Sequence, residues 1–378
     1  MEIFLPDEVI LQILSYLKPD ELSQTLLWSC CLVSRQWYAC AVPYLYERPI
    51  LYGKNFDPFA ATICPSINLH IRKSPLAGYI RRLDMGRLVH QGSKSLTARI
   101  LGRVRNNLEE FVAPQASFAI NCFASLSKCT SLWLLDLALI RESIPLKSLL
   151  KCLSHLHNLT VFYFPRLLDF SDPEIYTWPP KLRELHITSG GIPQSFLPCM
   201  SSLPYTLNTL TIQRCSQVYG ASLRQLLGTT LGTLTNLRIA EMLHLSQHSL
   251  DFILAQCPHL EQLSVPINNI GQEFLDPLHK NLCYLEITIS NGDAGEYEVV
   301  PVDIYLAYID GKLPKLRGVC YPGSLLIHSE EAKNDYDALD GVMQETVWGQ
   351  VKRVNVKSSC MLMMVDKDLV GAWHWYPS

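Results

Sequence analysis

Long apolar runs are scarce in this 378-residue chain. The best candidates, residues 22–34 and 132–140, fall short of the roughly 20 residues that a bilayer-spanning helix requires. The first is also partly polar, and Asp136 interrupts the second. No membrane partner is expected. Net charge is nearly absent as well: a balance of −3 supplies no global field to draw nucleic acid or an anionic membrane. The first residues carry Glu2, Asp7 and Glu8 but no basic flank, so no signal peptide is expected. The thirteen cysteines are scattered, odd in number and without a C-x-x-C pair. Unpaired, dispersed thiols point to a reducing compartment, cytoplasm or nucleus.

Catalytic signatures are missing too. No G-x-S-x-G elbow occurs, and residues 228–233 (GTTLGT) lack the lysine of a phosphate-binding loop. His244 and His248 stand four apart, but the intervening residues lack the glutamate of a zincin. His155 and His157 flank a leucine ahead of a predicted strand and read as polar partners of that turn. No catalytic residue, metal ligand or cofactor site is expected, and the chain is not read as an enzyme.

What is present begins at the N-terminus. Pro6, Asp7 and Glu8 form a helix-start signal, with proline in the first turn and carboxylates at the positive end of the dipole. Val9, Ile10, Ile13, Leu14 and Leu17 follow at helical spacing. Pro19, Asp20 and Glu21 repeat the signal ahead of Leu22, Leu26 and Leu27. A third run carries Leu32, Val33, Trp37 and Ala41 and is predicted to end near Pro43. Three helices this short cannot bury so much apolar surface among themselves, and a leftover apolar stripe marks a partner surface or a neighbouring domain.

These residues resemble the F-box. That family opens with Leu-Pro, an acidic pair and an aliphatic helix, here Leu5, Pro6, Asp7, Glu8, Val9 and Ile10. It closes with a Val-Ser-Arg-x-Trp segment, here Val33, Ser34, Arg35 and Trp37. The resemblance implies docking to the Skp-family adaptor and, through it, to the cullin of a ubiquitin ligase. The implied contact residues are Leu5, Pro6, Ile10, Ile13, Leu14, Leu17, Pro19, Leu22, Val33 and Trp37.

Beyond a connector over residues 46–75, a repeat of the form L-x-x-L-x-L appears. Ten copies begin at residues 80, 108, 132, 159, 182, 207, 234, 260, 282 and 316. Their mean spacing of about 26 residues lies in the leucine-rich-repeat range. Two copies extend to a fuller pattern, ending at Cys215 and at Asn268. A strand and a helix of this size cannot bury an apolar face alone, whereas stacked copies share one core. The expected fold is therefore α/β: a leucine-rich-repeat solenoid, curved as a horseshoe, over residues 76–325. A small three-helix F-box domain at 1–45 precedes it, and an acidic loop and C-terminal cap at 326–378 follow it. Residues 246–256, with Leu250, Ile253 and Leu254 on one face, are predicted as a helix between strands.

First, fourth and sixth positions of each repeat should point inward, and the fifth should line the concave face. That fifth-position column includes Asp84, Asp136, Tyr163, His186, Thr211, Arg238, Ser264 and Glu286. The stretch 72–105 is basic, with Asp84 as its one acid. Arg81, Arg82 and Arg87 in it either solvate the surface or receive an acidic or phosphorylated target segment. Contiguous aromatics for base stacking are missing there, which argues against nucleic acid. Candidate substrate contacts are thus Arg81, Arg82, Arg87, Asp136, Tyr163, His186, Arg238 and Glu286. The resemblance and the repeats imply a substrate-recognition subunit of an SCF-type ubiquitin ligase that binds a target protein. The alternative is an adaptor-bound scaffold that acts outside ubiquitylation.

Overall fold

The repeat positions sort by burial as their spacing dictates. In all ten copies the first, fourth and sixth side chains are buried, none more than 3% exposed. The computed structural model describes residues 5–66, 74–89, 92–169, 177–188, 203–215, 218–228, 232–242, 244–289, 297–322, 334 and 360–362. The acidic loop and C-terminal cap expected at 326–378 lie outside them, apart from residues 334 and 360–362. The chain forms two units, residues 1–182 and 183–378.

The first unit opens with helices α1 (Asp7–Ser15), α2 (Glu21–Cys30) and α3 (Arg35–Glu47). Asp20 caps α2 by accepting from the Ser23 N–H at 2.7 Å, and Ser34 caps α3 by accepting from the Trp37 N–H at 3.2 Å. The third helix does not stop near Pro43, as the sequence predicts, but continues to Glu47. Proline forfeits one backbone hydrogen bond. Cys40, Ala41, Tyr44 and Leu45, packed in or against the bundle core, hold the helix through it. Helix α4 (Gly53–Ile63) occupies the expected connector and buries Phe56, Phe59, Ala60 and Ile63.

Strands β1 (Arg82–Asp84), β2 (Glu110–Val112), β3 (Leu134–Asp136) and β5 (Val161–Tyr163) are parallel neighbours in that order. A two-residue pair, β4 (Ile144–Pro145) with β6 (Leu168–Asp169), sits outside that ladder. Between β1 and β2, helix α5 (Lys94–Val104) is capped by Ser93 and buries Thr97, Ile100, Leu101 and Val104. Phe111, Phe118 and Phe123 interlock under the strands, with ring centroids 6.0 and 5.8 Å apart. Fully burying such a side chain is worth about 1.5–3 kcal/mol.

The second unit continues the same repeat. Strands β7 (Glu184–Ile187), β8 (Thr209–Gln213), β9 (Asn236–Ala240), β10 (Gln262–Pro266), β11 (Tyr284–Thr288) and β12 (Gly318–Pro322) pair in sequence order, all parallel. Strand β13 (Cys360–Leu362) adds to β12 in the antiparallel sense. Parallel β strands in sequence order, each followed by a short return segment, make a leucine-rich-repeat solenoid. Among the described residues no helix is long and apolar enough to cross a membrane.

One local expectation shifts. The helix read over residues 246–256 is confined to Phe252–Gln256. His248 has φ +62°, and the left-handed backbone there keeps the preceding residues in turns. Leu250, Ile253 and Leu254 are buried as expected. Asn269, next to the pattern's closing Asn268, is buried after β10. Its side chain donates to the Leu245 and Ser246 carbonyls at 2.8 and 3.2 Å.

Candidate functional site

The helical bundle has its own small core of Ile10, Leu14, Leu27, Cys40 and Ala41. The Gln36 amide draws the N-terminal segment onto α3, donating to the Leu5 carbonyl and the Asp7 carboxylate, each at 2.7 Å. Ile10 and Leu14, two expected adaptor contacts, are 0% and 2% exposed. They are therefore not presented to a partner; they hold the bundle together. Leu17 and Trp37 pack partly against that core. Leu5, Pro6, Ile13, Pro19, Leu22 and Val33 face solvent, Leu22 at 72% and Val33 at 66% exposure. Sequence reasoning missed Leu11, Tyr16, Trp28 and Leu32, which are exposed as well. Leu11 and Tyr16 lie off the apolar stripe of α1, where the spacing of Ile10, Leu14 and Leu17 does not include them. So many large apolar side chains on three short helices are far more than singly scattered surface hydrophobics.

The bundle is tied to the first repeats by charge and backbone. The Arg81 N–H donates to the Glu47 carbonyl at 2.9 Å, and Ile50 bridges to Asp84. Glu110, a buried carboxylate, is met by Arg82 at 2.8 Å and by Arg48 at 3.3 Å. Ion pairs engage four cations of the basic stretch. Arg81 pairs with Glu109, Arg82 with Glu110 and Asp84, and Arg87 with Glu21. Lys94 pairs with Glu142. The three arginines, read as either a solvated surface or an anion site, thus already carry carboxylate partners, most of them outside the basic stretch. A groove of about 400 Å³ beside them, lined by Asp20, Glu21, Arg48, Arg82, Asp84 and Arg87, mixes both signs.

The fifth-position column is largely set by strand register. In the first unit, Asp136 and Tyr163 are register partners on β3 and β5, and both are half-buried. The Asp136 carboxylate accepts from the Ala138 N–H at 2.8 Å, which fixes the turn after β3. In the second unit, His186, Thr211, Arg238, Ser264 and Glu286 are successive register partners across five strands. His186 Nδ1 and Thr211 Oγ1 lie 3.0 Å apart. Thr211 is only 4% exposed, so this member of the column is enclosed rather than open. Arg238 and Glu286 reach across the Ser264 strand to 4.0 Å. At the rim, Arg214 and Glu241 occupy the same position of adjacent repeats, both left-handed with φ of 56° and 51°. Their side chains form a two-contact pair at 2.5 and 3.0 Å. That pairing holds the Glu241 carboxyl below its ordinary range.

The bundle and the repeats together define a class. A family model described as F-box-like matches residues 3–52, which span α1, α2 and α3. The chain belongs to the F-box protein family. It is 31% identical over 347 residues to F-box protein YDR306C of Saccharomyces cerevisiae, covering 85% of this chain and 70% of that one. It is 27% identical over 289 residues to protein pof5 of Schizosaccharomyces pombe, covering 75% and 80%. Among solved structures, an internalin C2 from Listeria monocytogenes aligns with TM-score 0.38 and 16% identity, covering 61% of this chain and 92% of that one.

Proposed function

We propose that this chain is the substrate receptor of an SCF-type cullin–RING ubiquitin ligase. The bundle docks to the Skp-family adaptor, and the repeats hold a target protein. The observation that carries this reading is the exposed aliphatic set on the F-box, Leu5, Ile13, Leu22 and Val33, standing on a core of Ile10 and Leu14. Such a receptor performs no chemistry and needs no cofactor. It raises the local concentration of target lysines beside a charged conjugating enzyme. The Glu110 knot serves that task by fixing the F-box on the first repeats. The site of action in this reading is cytoplasm or nucleus.

Affinity purification of the full chain tests it. Both the adaptor and a cullin should co-purify, and target proteins should accumulate on the chain when the proteasome is inhibited. Recovery of the adaptor without any cullin would replace this reading with that of a scaffold working outside ubiquitylation.

A further inference from the structure

We infer that the second unit holds a receptor for a cationic side chain, a lysine or arginine of the target, centred on Glu286. The inference rests on the substrate-receptor reading, since it supplies a peptide to be bound.

Three oxygens carry it. Glu286 Oε2, Ser264 Oγ and Thr288 Oγ1 are each buried, and none has a hydrogen-bond partner among the described residues. Ser264 is 1% exposed. The register pairs Ser264 on β10 directly with Glu286 on β11. Thr288 lies two residues further along β11, so strand alternation puts it on the same face as Glu286. Adjacent strands are about 4.8 Å apart and alternate residues of one strand about 6.7 Å, so the three side chains are neighbours on one face.

Buried acceptors left unmet are costly, and native structures rarely leave them so. The nearest identified cation, Arg238, stands 4.0 Å from Glu286 Oε2. That separation is an ion pair longer than a hydrogen bond, so Arg238 offsets the Glu286 charge while leaving the hydrogen bond of Oε2 unmade. A carboxylate excludes an anionic ligand. An ammonium or guanidinium brings three or more donors and no acceptor, which complements one carboxylate and two hydroxyls. Charge-assisted bonds of this kind are the strong ones.

The test uses the full-length chain and pools of fluorescent nonapeptides. Each pool has one central residue fixed and the others randomised. Pools fixed as lysine or arginine should bind about tenfold more tightly than pools fixed as glutamate or norleucine. Glu286→Gln should erase that preference. Ser264→Ala removes a buried hydroxyl that has no partner, so it should leave the unfolding midpoint unchanged or raised while weakening the cationic preference. That combination is not produced by a merely structural serine. Equal binding of all pools, or a preference that survives Glu286→Gln, would show that the three oxygens are met by ordered water alone. Adaptor binding is measured in parallel on the same preparations. Adaptor binding without cationic selection overturns this inference only; cationic selection without adaptor binding overturns the receptor reading only.

Discussion

The guanidinium of Arg48, at the end of the third F-box helix, lies 3.3 Å from the carboxylate of Glu110 on the second repeat strand. Arg82 meets the same carboxylate at 2.8 Å. The F-box bundle and the first repeats are thereby tied together. Glu110→Gln keeps the shape and removes the charge. Both arginines retain contact with water, so the cost should fall near the low end for broken ion pairs, about 1–2 kcal/mol. Urea denaturation reads that cost. An unshifted midpoint would mean that the knot is decorative.

Core and concave positions of one repeat should differ by less than alternation alone implies. Leu210→Ala should cost about 2–5 kcal/mol, because a buried leucine in a stacked repeat has neighbours on both sides. Thr211, beside it, is enclosed and shares a hydrogen bond with His186. Thr211→Ala should therefore cost about 1 kcal/mol rather than nothing. Thermal unfolding of the two variants gives the ranking, and a silent Thr211→Ala would show that the bond to His186 carries no weight.

The imidazole of His248 accounts for a pH dependence. A hydrogen bond with Asp251 at 3.0 Å, helped by Glu298 at 3.2 Å, raises its pKa above the usual 6.5. A raised value in the folded state means that the proton stabilises the fold. The contribution is fully present below the unfolded value and is lost as pH rises through the folded one. The His248 ring resonances should titrate above 6.5 by NMR, and Glu298→Gln should move that titration downward. A titration at or below the ordinary histidine value would contradict the placement of the two carboxylates.

Thiol reactivity should map the core. Burial pushes Cys129, Cys152, Cys215 and Cys257 up to about 12. Cys30, Cys31, Cys64 and Cys283 are only partly buried. Alkylation of the native chain at mild alkaline pH, read by mass spectrometry, should label these four well before the first four. Early labelling of Cys215 without unfolding would place that repeat's core in solvent.

Much of this architecture was legible in the sequence, because burial in a stacked repeat depends on spacing alone. Leu207, Leu210 and Ile212 mark an inward face whatever lies between them. The F-box start signals were equally local, since Pro6 and Asp20 act within one turn. Legibility failed where the deciding partner was distant. Ile10 and Leu14 share one helical stripe with Ile13 and Leu17, and only the docking of α3 settles which of them is interior. Glu109 and Glu110, which meet Arg81 and Arg82, lie 28 residues downstream, one repeat away, so a local charge window could not see them. Pro43 was misread for the same reason: a local helix breaker was overruled by tertiary packing.

The most direct test of the adaptor-docking claim is calorimetric titration of a purified Skp-family adaptor into the full chain. Ile13→Ala combined with Leu22→Ala removes two exposed aliphatic groups and touches none of the bundle's core. Losing their burial should cost about 3–6 kcal/mol of binding, a weakening of about a hundredfold or more. The unfolding midpoint should stay where it is. Leu14→Ala should instead lower that midpoint, because Leu14 is interior. A folded Ile13→Ala, Leu22→Ala chain that binds the adaptor as tightly as the parent would contradict the assignment of this surface as the adaptor's dock.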